Sequence, residues 1–71
     1  MSDPTIEITI NGDAATIDAG TTVAEVVESR VESTRGVAVA RNLEMVPRST
    51  WGDIVVVTGD EIEILAAAQG G

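Results

Sequence analysis

The chain has no cysteine, no histidine, no lysine, no phenylalanine and no tyrosine. Without cysteine there is no disulfide framework and no thiolate nucleophile. With histidine also missing, a Cys/His metal site and an imidazole general base are excluded. Only four bases, Arg30, Arg35, Arg41 and Arg48, stand against twelve acids, for a net charge of −8. A nucleic-acid binder needs a basic footprint to displace counterions, and anionic lipid asks for the same. Neither partner is expected. The ordinary meaning of such a balance is a solvated acidic surface, with which steering towards a basic partner is compatible. No glycine-rich phosphate loop of either common pattern occurs. The longest apolar runs, Ile54–Val57 and Ile64–Ala68, are too short to span a bilayer. The opening "MSDPTIEI" has neither the basic nor the apolar region of a secretory leader. The expectation is a soluble cytoplasmic protein, with its 71 residues forming a single domain.

What is present is aliphatic. Ten valines and seven isoleucines dominate the apolar inventory, beside a single tryptophan. β-Branched side chains are stiff and fit pleated surfaces, so the composition leans towards strands. Thr5 to Ile10 alternates, with Ile6, Ile8 and Ile10 on one side, which is the period of a half-buried strand. Asn11-Gly12 tolerates the positive φ of a type I′ hairpin turn, and Ala14 to Asp18 reads as the returning strand. Thr22 and Glu25 have capping-box spacing, and Val23, Val26, Val27 and Val31 form one stripe of a helix of roughly ten residues. Gly36 is a candidate helix-terminating residue. Val37 to Arg41 is a strand, Asn42 to Glu44 a turn, and "MVPR" a short extended piece. Ser49 or Thr50 is expected to cap a short helical turn, with Trp51 plugging one end of the core. After a turn at Gly59-Asp60, Glu61 to Ala68 is the last strand, with Ile62 and Ile64 inward and Leu65 and Ala67 on the other side. One helix across one mixed sheet of four or five strands buries two apolar faces at once. The fold expected is therefore α+β, a β-grasp.

Little in this body can carry chemistry, and no catalytic residue and no metal site are expected. Asp60, Glu61 and Glu63 cluster near the last turn, where a divalent ion could bind. A turn residue followed by two solvated strand positions accounts for them more simply. Arg48 is expected either to pair with an acid or to meet an anionic partner. The end of the chain, "AAAQGG", offers something different. Gly70 and Gly71 make a thread without side chains, able to enter a narrow channel on another protein. A carboxylate there is inert until activated, for example as an acyl-adenylate. Residues 68–71 are read as a flexible tail on a recognition body.

"VPRSTW", "GDEIEIL" and "AAAQGG", at this spacing, resemble the sulfur-carrier proteins of thiamine biosynthesis, a ubiquitin-like family. The likeness extends over nearly the whole chain, through the Asn11-Gly12 hairpin and the "TTVAEVV" helix start. It departs at Ala68, where valine is frequent, and at Arg41, where a neutral residue is usual. The resemblance implies that the Gly71 carboxylate is adenylated by an E1-like adenylyltransferase using ATP and magnesium. A cysteine desulfurase or other persulfide donor would then supply sulfur, giving a thiocarboxylate that serves thiazole synthase. No cofactor would be bound by the chain itself. A carrier for molybdopterin or tRNA thiolation, a ubiquitin-like modifier and a non-catalytic binding module are the alternatives. A docking patch for the adenylyltransferase is expected from Leu65, Ala67, Ala38 and Ala40, on the sheet face opposite the helix.

Overall fold

The structure, a computed structural model, describes residues 4–66. The 68–71 tail and the last part of the expected final strand lie outside the described residues. Alternating isoleucines build β1 (Thr5–Ile10), and Asn11-Gly12 turns it back into β2 (Asp13–Asp18) with Ile6 opposite Ile17. Both turn residues have positive φ, +53° and +87°, as a type I′ turn requires. The returning strand starts one residue earlier than expected because Asp13 still pairs with Ile10.

Helix α1 (Val23–Glu28) begins with the capping box. The Glu25 N–H donates to the Thr22 hydroxyl, and the Thr22 N–H donates to the Glu25 carboxylate. The helix is six residues long, shorter than the valine stripe suggested. Ser29 ends it: its hydroxyl donates to the Val26 carbonyl, and Arg30 N–H tightens onto Val27. Side-chain bonding of this kind competes with helix propagation, and valine adds little propensity to resist it. Val31 still packs against the core from the turn that follows. Gly36 consequently terminates no helix. It lies eight residues beyond Glu28, in the turn that leads into β3 (Val37–Arg41), with φ +70°.

Asn42-Leu43 forms a second tight turn into β4 (Glu44–Met45), so Glu44 is a strand residue rather than part of the turn. A 3₁₀ helix follows over Arg48–Asp53, and its cap is Pro47 with no side-chain bond. The expectation of a Ser49 or Thr50 cap is thus corrected. Both are inside the turn, and Thr50 Oγ donates back to the Pro47 carbonyl. The last described strand is β5 (Glu61–Ala66).

Among the described residues the sheet has five strands in the order β2-β1-β5-β3-β4. β5 runs parallel to β1 and antiparallel to β3, so the sheet is mixed with the C-terminal strand at its centre. This is the β-grasp arrangement. Ile8, Ile10, Val39, Ile62 and Ile64 meet Val23, Val26 and Val27 of α1, and Val46, Trp51 and Val56 close the rim. The indole N–H of Trp51 donates to the Val46 carbonyl at 3.0 Å, so the plug keeps its polar atom satisfied. Each fully buried valine or isoleucine contributes about 1.5–3 kcal/mol.

Ile62→Ala, at the centre of this core, is expected to lower stability by about 2–5 kcal/mol, read from the urea midpoint. Thr22→Ala removes one half of the capping box and is expected to cost about 1 kcal/mol in the same measurement.

Candidate functional site

Strand β5 is the element that leads towards Gly70 and Gly71, and the site is built around it. Its backbone pairs fully with β3, from Arg41 opposite Ile62 to Val37 opposite Ala66. Its pairing with β1 is brief and stops at Ile10 opposite Ile62. Beyond that point Asn11 takes over. Its backbone N–H donates to the Ile62 carbonyl at 2.8 Å. Its side-chain oxygen accepts the Ile64 N–H at 2.8 Å, and its amide nitrogen donates to the Ile64 carbonyl at 3.3 Å. The carboxamide thereby extends the ladder as a backbone peptide would.

The opposite end of β5 is held by a second asparagine. Asn42 Oδ1 accepts the Glu61 N–H at 2.9 Å, while the Asn42 backbone N–H donates to the Glu61 carbonyl at 2.8 Å. Its amide nitrogen donates to Asp60 Oδ1 at 3.0 Å. Arg41 Nε–H and Val57 N–H both donate to Asp60 Oδ2 at 2.9 Å. Asp60 is only 4% exposed. Burial pushes its carboxyl up, but the Val57, Asn42 and Arg41 hydrogen bonds and the arginine charge outweigh that, holding it below its ordinary value.

This arrangement corrects the view of Asp60 as a plain turn residue beside two solvated acids. Glu61 and Glu63 are exposed, whereas Asp60 is a fully bonded structural hub. No three histidine, cysteine, aspartate or glutamate side chains among the described residues gather as metal ligands. Among the described residues Arg48 pairs with no acid. Its guanidinium donates to the Thr34 hydroxyl and lies over the Trp51 ring, 5.5 Å from the centroid.

The sheet face away from α1 is open. Register places Ala38 beside Leu65, and Ala40 beside Glu63 and Met45. Leu65 is 61% exposed, Ala38 is half-buried, and Ala40 is buried at 8%. Ala40, set between longer side chains, offers little area of its own. Ala67, Gly70 and Gly71 lie outside the described residues. Sequence reasoning missed Asn11 and Asn42 as clamps, Met45 and the exposed Leu43. The asparagines carry a local turn signal, but their long-range bonds have no sequence signature.

Comparison with known proteins places these features. A model of the ThiS family matches residues 8–71. A thiazole synthase of Paramagnetospirillum magneticum is 38% identical over 66 residues, which are 93% of this chain and 20% of that protein. The chain thus spans about a fifth of that relative's length. A sulfur carrier protein ThiS of Escherichia coli is 35% identical over 66 residues, 93% of this chain and 100% of that one. The crystal structure of a thiamine biosynthesis protein (ThiS) from Geobacter metallireducens matches with a TM-score of 0.77 and 30% identity. That match covers 93% of this chain and 100% of the other.

Asp60→Asn is expected to cost about 1–3 kcal/mol, because the network loses its charge and one of its two acceptor oxygens becomes an NH2 that faces donors. The lowered carboxyl contributes stability that is complete above the unfolded-state value and is lost as pH falls through the folded one. Urea midpoints measured from neutral to acid pH should therefore decline less steeply in the variant.

Proposed function

The chain belongs to the ThiS family, and we propose that it is a sulfur carrier of thiamine biosynthesis whose working group is the Gly71 carboxylate. The observation that carries this is the family match, which runs to Gly71 and includes Gly70. The body suits the role. Its buried carboxylate is saturated with structural bonds, and no helix among the described residues is long and apolar enough to cross a membrane.

The chemistry is supplied by partners. In an E1-like adenylyltransferase the Gly71 carboxylate attacks the α-phosphate of ATP, with magnesium neutralising the phosphates, and pyrophosphate leaves. A persulfide from a cysteine desulfurase or other donor attacks the acyl carbon, and AMP leaves. A thiol then cleaves the acyl disulfide, forming a new disulfide and releasing the thiocarboxylate. Thiazole synthase is the acceptor, a partner suggested by the relative of that name that contains a segment similar to this chain. The carrier contributes a carboxylate with no neighbouring side chain to obstruct it and a strand that fixes where the tail begins.

Intact-mass spectrometry tests this. After incubation with the adenylyltransferase, ATP, magnesium and a persulfide donor, the chain should gain the mass difference between sulfur and oxygen. Adding one residue after Gly71, or deleting it, should abolish the gain. A chain that stays at its starting mass under conditions that load a known carrier refutes the proposal. Leu65→Glu should weaken binding to the adenylyltransferase while the unfolding midpoint is preserved.

A further inference from the structure

We propose that Leu43 is a docking residue: together with Met45 it receives a basic partner protein on the open face of the sheet, beside the first residues of β5. Three of the five large hydrophobic side chains exposed among the described residues belong to this side: Leu43 at 84%, Met45 at 65% and Leu65 at 61%. Leu43 lines a shallow groove with Thr9, Gly12, Glu61 and Glu63, across the first residues of β5.

The backbone makes this leucine unusual. Its φ is +71°, in the left-handed region where a Cβ is crowded and glycine or asparagine is the ordinary occupant. The conformation is imposed by its neighbour, since Asn42 is bonded to Asp60 and Glu61 through both backbone and side chain. Glycine would serve the turn with less strain and would expose no apolar surface. A leucine that is both strained and exposed points to a contact made outside the chain.

Charge selects the occupant. The strand positions on this face include Glu7, Glu61 and Glu63; no strand position on it is an arginine, and Arg41, which lines a groove with Met45, is tied to Asp60. A second copy would set like charges against one another. A surface with an apolar side chain ringed by arginine or lysine complements the groove, and attraction of that kind also steers encounter. The choice of enzyme to probe, thiazole synthase, rests on the carrier function proposed above.

Leu43→Gly relieves the strained φ and leaves the Asn42 bonds in place, so its unfolding midpoint should stay at or above the wild-type value. Its affinity for purified thiazole synthase of the same organism, measured calorimetrically with the full chain, is expected to fall at least about tenfold. The double variant Glu61→Gln/Glu63→Gln should bind more weakly and with a shallower dependence on salt. The proposal is overturned by wild-type chain that does not bind the synthase, or whose binding ignores salt. It is equally overturned by unchanged affinity in Leu43→Gly, or by a dimer in sedimentation that Leu43→Gly dissolves. The carrier function is read separately, by the mass gain. A chain that gains sulfur yet docks without Leu43 loses only the docking proposal, and one that docks through Leu43 yet never gains sulfur loses only the carrier function.

Discussion

Two asparagine carboxamides hold β5 from opposite sides by imitating backbone. Asn11 supplies an acceptor and a donor to Ile64 where β1 has already turned away. Asn42 holds Glu61 where β3 ends, its side-chain oxygen accepting the Glu61 N–H and its backbone N–H donating to the Glu61 carbonyl. A central strand left with an unpaired N–H or C=O would lose about 1–3 kcal/mol for each such group if buried. The two hairpin turns solve this with residues they need anyway, because asparagine also tolerates the positive φ of the first turn position. The same side chain therefore closes a hairpin and extends a neighbouring ladder. Loss of either asparagine would disturb two elements at once.

Asp60 extends the same logic into the interior. A carboxylate at 4% exposure is tolerable only with its oxygens occupied, and here three donors from three separate places converge on it. They come from the end of β3, the second hairpin turn and the loop before β5. This explains why an arginine can stand at position 41. Its register partner is the core residue Ile62, yet its Nε reaches Asp60 at 2.9 Å and its side chain remains 30% exposed. The network uses the one buried carboxylate among the described residues, and the other described acids are exposed.

Local patterns were enough to read most of the architecture. The isoleucine alternation marks β1, Asn11-Gly12 marks its turn, and Thr22 with Glu25 marks the helix start, because each signal spans only a few residues. The inward Ile62 and Ile64 follow from period two alone. Helix length was not legible, since it depends on whether the Ser29 hydroxyl returns to Val26 or turns to solvent. The cap of the 3₁₀ helix was misplaced because Thr50 uses its hydroxyl inside the turn. The roles of Asn11 and Asp60 were hidden for another reason: their partners lie 53 and 18–19 residues away in sequence. Leu43 carried no local signal of its conformation, which is set by the bonds of Asn42. For the candidate site, the ending without side chains singled out Gly70 and Gly71, which lie outside the described residues, and the alternation put Leu65 on the face away from α1, where it is exposed. The buried state of Ala40 required knowing that β4 lies beside β3.

The two sides of the sheet face opposite demands. The covered side is satisfied by α1 and the rim residues. The other must stay in water without inviting the wrong partner, although it carries exposed Met45 and Leu65 with Leu43 at its margin. Edges are guarded first: β2 has an aspartate at each end, and β4 is two residues long and soon followed by Pro47. Both are devices that discourage strand addition. Charge guards the face itself. A net charge of −8 and glutamates interleaved among the apolar positions oppose the approach of a second copy. That repulsion becomes attraction for any surface of opposite sign. The excess of acids, which in the sequence argues only against nucleic acid and anionic lipid, is thus also compatible with apolar side chains left exposed on a very small domain.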